Sequence, residues 1–212
     1  MNKKGILIVV SGFAGTGKGT VMKELLKEHP DQYALSISMT TRSPRNYETH
    51  GVEYFFSTKE EFEAKIQADG LIEYACYCDN YYGTPKDYVE EQLEAGKDVL
   101  LEIEIQGALQ VKAKLPDTML VFIMPPSVPE LYRRLKNRGT ETDEVIRQRM
   151  IRASEESQGI EQYDYILVND DINECVESLH QMIQSEKQRA FRNIPFIEQI
   201  SSEFVDLKKG EL

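Results

Sequence analysis

Residues Gly12 to Thr20 read Gly-Phe-Ala-Gly-Thr-Gly-Lys-Gly-Thr, and glycines spaced in this way around one lysine suit the binding of a phosphate chain. Glycines let the backbone turn so that successive amide N–H groups point inward. A helix opening directly after them adds its positive end, and Lys18 adds a full charge that can reach β- and γ-phosphates. The cradle spans Gly12, Phe13, Ala14, Gly15, Thr16, Gly17, Lys18, Gly19 and Thr20. One departure stands out: in G-x-x-x-x-G-K-S/T a metal-binding hydroxyl follows the lysine, and here Gly19 holds that place with Thr20 one residue later. A Mg²⁺ ion is therefore expected to be held mainly by the phosphates and water, with Thr20 the hydroxyl that the loop can offer it.

Further along, Ser38-Met-Thr-Thr-Arg42-Ser-Pro-Arg45 places two guanidinium groups three residues apart, a pair that can grip a second phosphate through bidentate, charge-assisted bonds. Tyr54, Glu73 and Asn80-Tyr-Tyr-Gly-Thr84 follow, and in isolation they read as a solvated β surface. Glu102 and Glu104 sit at the end of an apolar run, where ligands of open α/β sheets bind. Arginines gather again at Arg133, Arg134, Arg138, Arg147, Arg149 and Arg152, around a Gly139-Thr140 turn.

Elements must carry these groups to one place. Apolar, β-branched runs at Ile6 to Val10, Val99 to Ile105, Met119 to Met124 and Tyr165 to Val168 are expected as buried parallel strands. Between them, Val21, Met22, Leu25 and Leu26, and later Cys175, Val176, Leu179, Met182 and Ile183, recur at helical spacing. Strand and helix in alternation predict an α/β fold with a parallel sheet. Residues 38–96, rich in Tyr, Thr and charge, with a strand-like piece at Val52 to Phe56, are expected as a small mixed β insertion. Residues 126–164 are expected as a helical flap. The core would then comprise 1–37, 97–125 and 165–190, with a tail of unknown role over 191–212. In that tail Pro195 is expected to break the chain before Phe196, Ile197, Ile200, Phe204 and Leu207 resume helical spacing.

Composition narrows the classes. The chain has 212 residues, 41% of them apolar, enough for one substantial core. Its 36 acids against 25 bases give a net charge of -11, which disfavours nucleic acid and anionic membranes as partners. Cys76, Cys78 and Cys175 form neither a disulfide framework nor a CxxC pair, and His29, His50 and His180 are scattered, so none is given a catalytic role. The apolar run at Ile6 to Val10 is far shorter than the roughly 20 residues that span a bilayer. A cytoplasmic protein is expected, monomeric or a small homo-oligomer.

In order and spacing, Ser11 to Thr20, Thr40-Thr-Arg-Ser-Pro-Arg45, Asn80-Tyr-Tyr-Gly-Thr84, Glu102-Ile-Glu-Ile-Gln-Gly107, Arg138-Gly-Thr-Glu-Thr142 and Val168-Asn-Asp170 resemble the guanylate kinase family of nucleoside monophosphate kinases, from about Gly5 to Lys187. The resemblance implies a five-stranded parallel sheet and reversible, Mg²⁺-dependent transfer of a phosphoryl group from ATP to GMP, and to dGMP. It assigns Arg42, Arg45, Tyr54 and Tyr82 to the GMP phosphate and Ser38, Glu73 and Thr84 to guanine. Lys18 and the flap arginines Arg134, Arg138 and Arg149 would be catalytic, and Asn169 and Asp170 would border the donor's adenine. Glu104 would order Mg²⁺ waters or an acceptor-side arginine. Arg133, Arg147 and Arg152 are read instead as a salt-bridged helix face with Glu141 and Glu144.

A carboxylate at Glu73 can accept from guanine N1–H and the 2-amino group, whereas adenine offers an acceptor there. No general base is needed, since the second phosphate pKa of about 6 leaves the nucleophile anionic near neutral pH. Two other readings compete: a phosphoribosyl-bisphosphate-forming kinase, which has no use for a guanine-reading set, and a non-catalytic binding module, which would not need an intact Lys18 loop.

Overall fold

The computed structural model describes residues 4–137 and 142–209. From the N-terminus, β1 (Leu7–Gly12) leads through the glycine loop into α1 (Lys18–Glu28) and β2 (Tyr33–Leu35). Next come β3 (Met39–Thr40), β4 (Phe55–Phe56), α2 (Lys59–Gln67), β5 (Leu71–Tyr77), β6 (Asn80–Pro85) and α3 (Lys86–Glu94). The chain continues through β7 (Asp98–Glu102), α4 (Ile105–Lys114), β8 (Met119–Met124), α5 (Val128–Asn137) and α6 (Asp143–Glu156). It ends in β9 (Tyr165–Val168), α7 (Ile172–Lys187) and α8 (Ile194–Lys209).

Five strands form a parallel sheet in the order β2-β7-β1-β8-β9, as the alternation of elements predicts. Side chains alternate across β1, and each face meets its own helices. Ile8 and Val10 pack with Val21, Leu25, Leu179 and Ile183 of α1 and α7. Leu7 and Val9 pack on the other face with Val89, Ala108, Val111 and Leu131 of α3, α4 and α5. Ile8, Val9 and Val10 are fully enclosed, each stabilising the fold by roughly 1.5–3 kcal/mol. Asp98 braces the layers from within: its carboxylate accepts from the Ile6 amide (3.0 Å) and from Lys187 Nζ (2.8 Å).

A second, four-stranded sheet in the order β4-β3-β6-β5 mixes one parallel with two antiparallel pairings. Thr58 and Glu61 form a reciprocal capping box at the start of α2, which follows β4. The β5–β6 turn passes through Cys78 (φ 47°) and Asp79 (φ 60°), consistent with a type I′ hairpin.

Three local expectations change. The strand expected to reach Ile105 stops at Glu102, because beyond it the Ile103 carbonyl is taken by Ser11 Oγ (2.7 Å) and Glu104 becomes the N-cap of α4. Of Val52 to Phe56 only Phe55–Phe56 is strand; the Gly51 amide bonds the Tyr54 carbonyl (2.9 Å) and Val52 lies in the resulting turn. Pro195 begins a helix rather than breaking one. It is the second residue of α8, in the first turn, where a missing N–H costs nothing. Short β2, at the sheet edge, carries no alternation long enough to read. Among the described residues no helix is long and apolar enough to cross a membrane.

Candidate active site

The carboxyl ends of β1, β7, β8 and β9 point the same way, because the sheet is parallel. The glycine loop and Asn169 follow directly from β1 and β9, and Glu102 is the last residue of β7. Gly15 (φ 94°) and Gly17 (φ 87°) take left-handed conformations that favour glycine, and a Cβ on Gly17 would sit 2.7 Å from Asn169 Nδ2. Gly17 also caps α1 with no side-chain bond, which leaves the first-turn amides facing the loop. Thr16 Oγ1 donates to the Phe13 carbonyl (2.9 Å), and Lys18 Nζ donates to the carbonyls of Gly12 (2.6 Å) and Phe13 (3.3 Å). The lysine is thus folded over the cradle it is expected to serve.

Asn169, expected beside an adenine, is buried and acts as a brace. Its Nδ2 donates to the Thr16 carbonyl at 2.7 Å and so fastens the glycine loop to the end of β9. Asp170 beside it is exposed.

A cleft of about 810 Å³ joins this loop to the second sheet. Gly12 and Lys18 stand on one side, Ser38 and Tyr54 on another, and Glu104 and Arg149 complete the wall. A smaller hollow of about 540 Å³ lies over Gly15, Gly17, Gly19 and Thr20, with Glu102 in its wall. Glu102 Oε2 comes within 3.9 Å of where a Gly19 Cβ would be, which puts a carboxylate at the gap left by the missing hydroxyl. Glu104, the acid expected to order Mg²⁺ waters or an acceptor-side arginine, lines the larger cleft and accepts from Arg152 Nη2 at 2.7 Å. Arg152 therefore bridges to the core as well as to Glu156 of its own helix (3.0 Å); Glu141, one of the partners expected for it, lies outside the described residues. By sequence the metal role falls to Glu104, though type and spacing alone do not separate it from Glu102 in one apolar run.

On the second sheet, Arg42 Nη2 donates to Glu48 Oε1 (2.8 Å), and the Arg45 amide donates to Glu48 Oε2 (2.8 Å). Glu48 carries no signal in the sequence, yet it gathers both arginines, and the Arg42 hydrogen bond holds its carboxyl below the usual range. Arg42 also lies over the Tyr54 ring at 5.3 Å, and Tyr54 meets Tyr82 edge-on at 6.1 Å. Arg45 Nη1 bonds the Tyr47 hydroxyl at 3.1 Å. Four expected anion-binding residues are thereby brought together.

Glu73 is 7% exposed, and Thr84 Oγ1 donates to its Oε1 at 2.6 Å. Burial pushes its carboxyl up, opposed by Thr84 and by the charge of Lys114. Oε2 faces α4, where a Cβ on Gly107 would approach to 3.6 Å. Its two oxygens form a buried acceptor pair, chemistry suited to reading a donor edge.

The arginine-rich segment divides. Arg149 lines the cleft, whereas Arg134 and Arg133 both bond Glu130 on their own helix at 2.7 Å, which lowers the Glu130 carboxyl to about 2. Arg138 lies outside the described residues.

A phosphate cradle that shares one cleft with Ser38 and Tyr54 of the segment bearing the second arginine pair suits a phosphotransferase, and comparison with known proteins agrees. The family model described as guanylate kinase matches residues 4–186. Guanylate kinases of Latilactobacillus sakei and Streptococcus agalactiae are 49% and 50% identical over 194 residues, which is 92% of this chain and 96% and 93% of theirs. That of Oceanobacillus iheyensis is 51% identical over 187 residues, 88% of this chain and 90% of its own. The crystal structure of guanylate kinase from Anaplasma phagocytophilum superposes with a TM-score of 0.68 at 31% identity, covering 90% of each chain. Fold, cleft and similarity agree, and the chain belongs to the guanylate kinase family.

Proposed function

We propose that the protein transfers the γ-phosphoryl group of ATP reversibly to GMP, and to dGMP, giving ADP and the nucleoside diphosphate. The observation that carries this reading is the single cleft whose wall contains Lys18, Ser38, Tyr54 and Arg149. Donor and acceptor can meet there without water between them.

The glycine loop and Lys18 would hold the donor phosphates. Arg42, Arg45, Tyr54 and Tyr82 would grip the GMP phosphate, and Ser38, Glu73 and Thr84 would read guanine. An acceptor phosphate oxygen, already anionic, attacks in line, so no side chain need remove a proton. Lys18 and Arg149 neutralise charge that spreads over the moving phosphoryl oxygens; Arg134 would join them on leaving Glu130, and Arg138 is given the same role.

The residues present fit a Mg²⁺ ion: Thr20 supplies a hydroxyl and Glu102 a hard carboxylate at the same hollow, both suited to hold its waters. When bound, Mg²⁺ would supply positive charge that offsets that of the donor phosphates.

The segments 38–96 and 126–164 would move over the core formed by 1–37, 97–125 and 165–190 as substrates bind. Exposed thiols at Cys76 and Cys78 suit a reducing cytoplasm.

A coupled assay across nucleoside monophosphates tests the proposal. GMP should exceed AMP in kcat/KM by about 10³-fold or more, because adenine leaves the buried Glu73 without donors. Preference for AMP or for a ribose bisphosphate would overturn it.

A further inference from the structure

One face of α6 looks into the cleft. Val145, Gln148, Arg149, Arg152 and Glu156 line it at spacings of three, one, three and four residues, while Ile146 and Ala153 are buried on the other side. Arg149 and Arg152 are one turn apart on the same face. Arg152 has a foot on the core: Nη2 donates to Glu104 Oε2 at 2.7 Å, and Nε donates to Glu156 Oε1 at 3.0 Å.

Glu104 is placed to receive it. It is the N-cap of α4 with an extended backbone, and its side chain caps nothing, so the carboxylate projects from the positive end of that helix toward α6. The bond crosses 48 residues of sequence and joins the segment 126–164 to the core.

We propose that Arg152 is a positioning residue, which through Glu104 and Glu156 fixes the rotation of α6 and so holds Arg149 over the donor phosphates. The inference rests on the ATP-to-GMP reading above. It also reassigns Glu104, whose partner is a helix of the arginine-rich segment and not the metal. The pair is half-exposed or more, at 53% and 73%, so its contribution to overall stability is small. Its effect lies in geometry: the planar guanidinium engages two carboxylates in one orientation, which a lysine ammonium does not reproduce.

The test compares Arg152→Met, Arg152→Lys, Glu104→Gln and the double variant Arg152→Met/Glu104→Gln with Arg149→Met, using kcat, KM for ATP and GMP, and the thermal unfolding midpoint. Arg152→Met should lower kcat about two- to fivefold, the range of an exposed ion pair, with KM for GMP and the midpoint unchanged. Arg152→Lys should recover part of the loss. The double variant should be no slower than Glu104→Gln, since residues that act through each other are not additive. Arg149→Met should fall about 10²-fold or more, as when a preorganised charge is removed from a transition state. If Arg149→Met is impaired and Arg152→Met keeps the wild-type kcat, the positioning role is overturned and the proposed function stands. If both keep it, the reading of α6 as part of the catalytic site fails. A fall in kcat matched by a lower midpoint, or additive losses in the double variant, overturns the link through Glu104.

Discussion

The glycine loop and the segment of the four-stranded sheet both border the cleft, yet they are built in opposite ways. The loop is backbone: amides turned by glycines, rooted in fully buried β1 and pinned by Asn169. The sheet presents side chains, and its strands β3 and β4 are two residues each. Arg42 and Arg45 are held there not by a core but by one carboxylate, Glu48. A backbone cradle binds any phosphate chain and discriminates little, whereas a side-chain grip can be selective and can adjust as it closes. The donor side should therefore fail all at once, and the acceptor side piece by piece.

The largest effect should come from Lys18→Met, which removes the one full charge of the loop and should lower kcat/KM for both substrates by about 10²–10³-fold. A loss confined to GMP would contradict the division between the two regions. Glu73→Gln comes next, and should raise KM for GMP by about 10²-fold while binding of ATP is unchanged, because a buried charged partner is lost only on the acceptor side. Burial raises the Glu73 carboxyl, so wild-type KM for GMP should begin to climb at a higher pH, on acidification, than an ordinary glutamate would dictate. Glu73→Gln retains the titration of the GMP phosphate itself and should lose only this component, as a pH series of both proteins would reveal.

Glu48→Gln should be milder, raising KM for GMP by about two- to tenfold through misplacement of Arg42 and Arg45. Equal damage to ATP binding would show that the two regions are coupled more tightly than their construction suggests.

The smallest effect concerns the core alone. His29 stacks on His180 at 4.0 Å, and the Tyr33 hydroxyl lies 2.7 Å from His180 Nδ1. Gln184 Nε2 donates to that hydroxyl (3.3 Å). Burial, and then the charge of His29, lower the His180 pKa, against the pull of Glu177, Asp98 and Glu28. The unfolded chain therefore binds more protons in acid, and stability should fall as pH drops below about 6.5. Unfolding midpoints measured against pH should show this decline, and His180→Gln should flatten it. An unchanged profile would mean that the histidine pair has no part in acid stability.

Legibility followed sequence distance. The glycine loop could be read because its work is done by consecutive residues, and Arg42 with Arg45 because three residues separate them. The strands of the core could be read because burial on both faces demands unbroken apolar runs. Glu48 escaped because nothing in its neighbours marks it as a clamp, and β2 because three edge residues carry no period.

What the amino-acid sequence determined by itself was the chemistry available: a phosphate cradle, a pair of guanidinium groups, carboxylates at a strand end and an α/β frame. Tertiary structure decided how that chemistry is distributed. Asn169 pins a carbonyl 153 residues away, and Ser11 takes that of Ile103, 92 residues away, where β7 ends. That termination turns Glu102 toward the loop and Glu104 toward Arg152. Two acids in one short run cannot be told apart by type or spacing; the direction in which the backbone leaves the strand separates them.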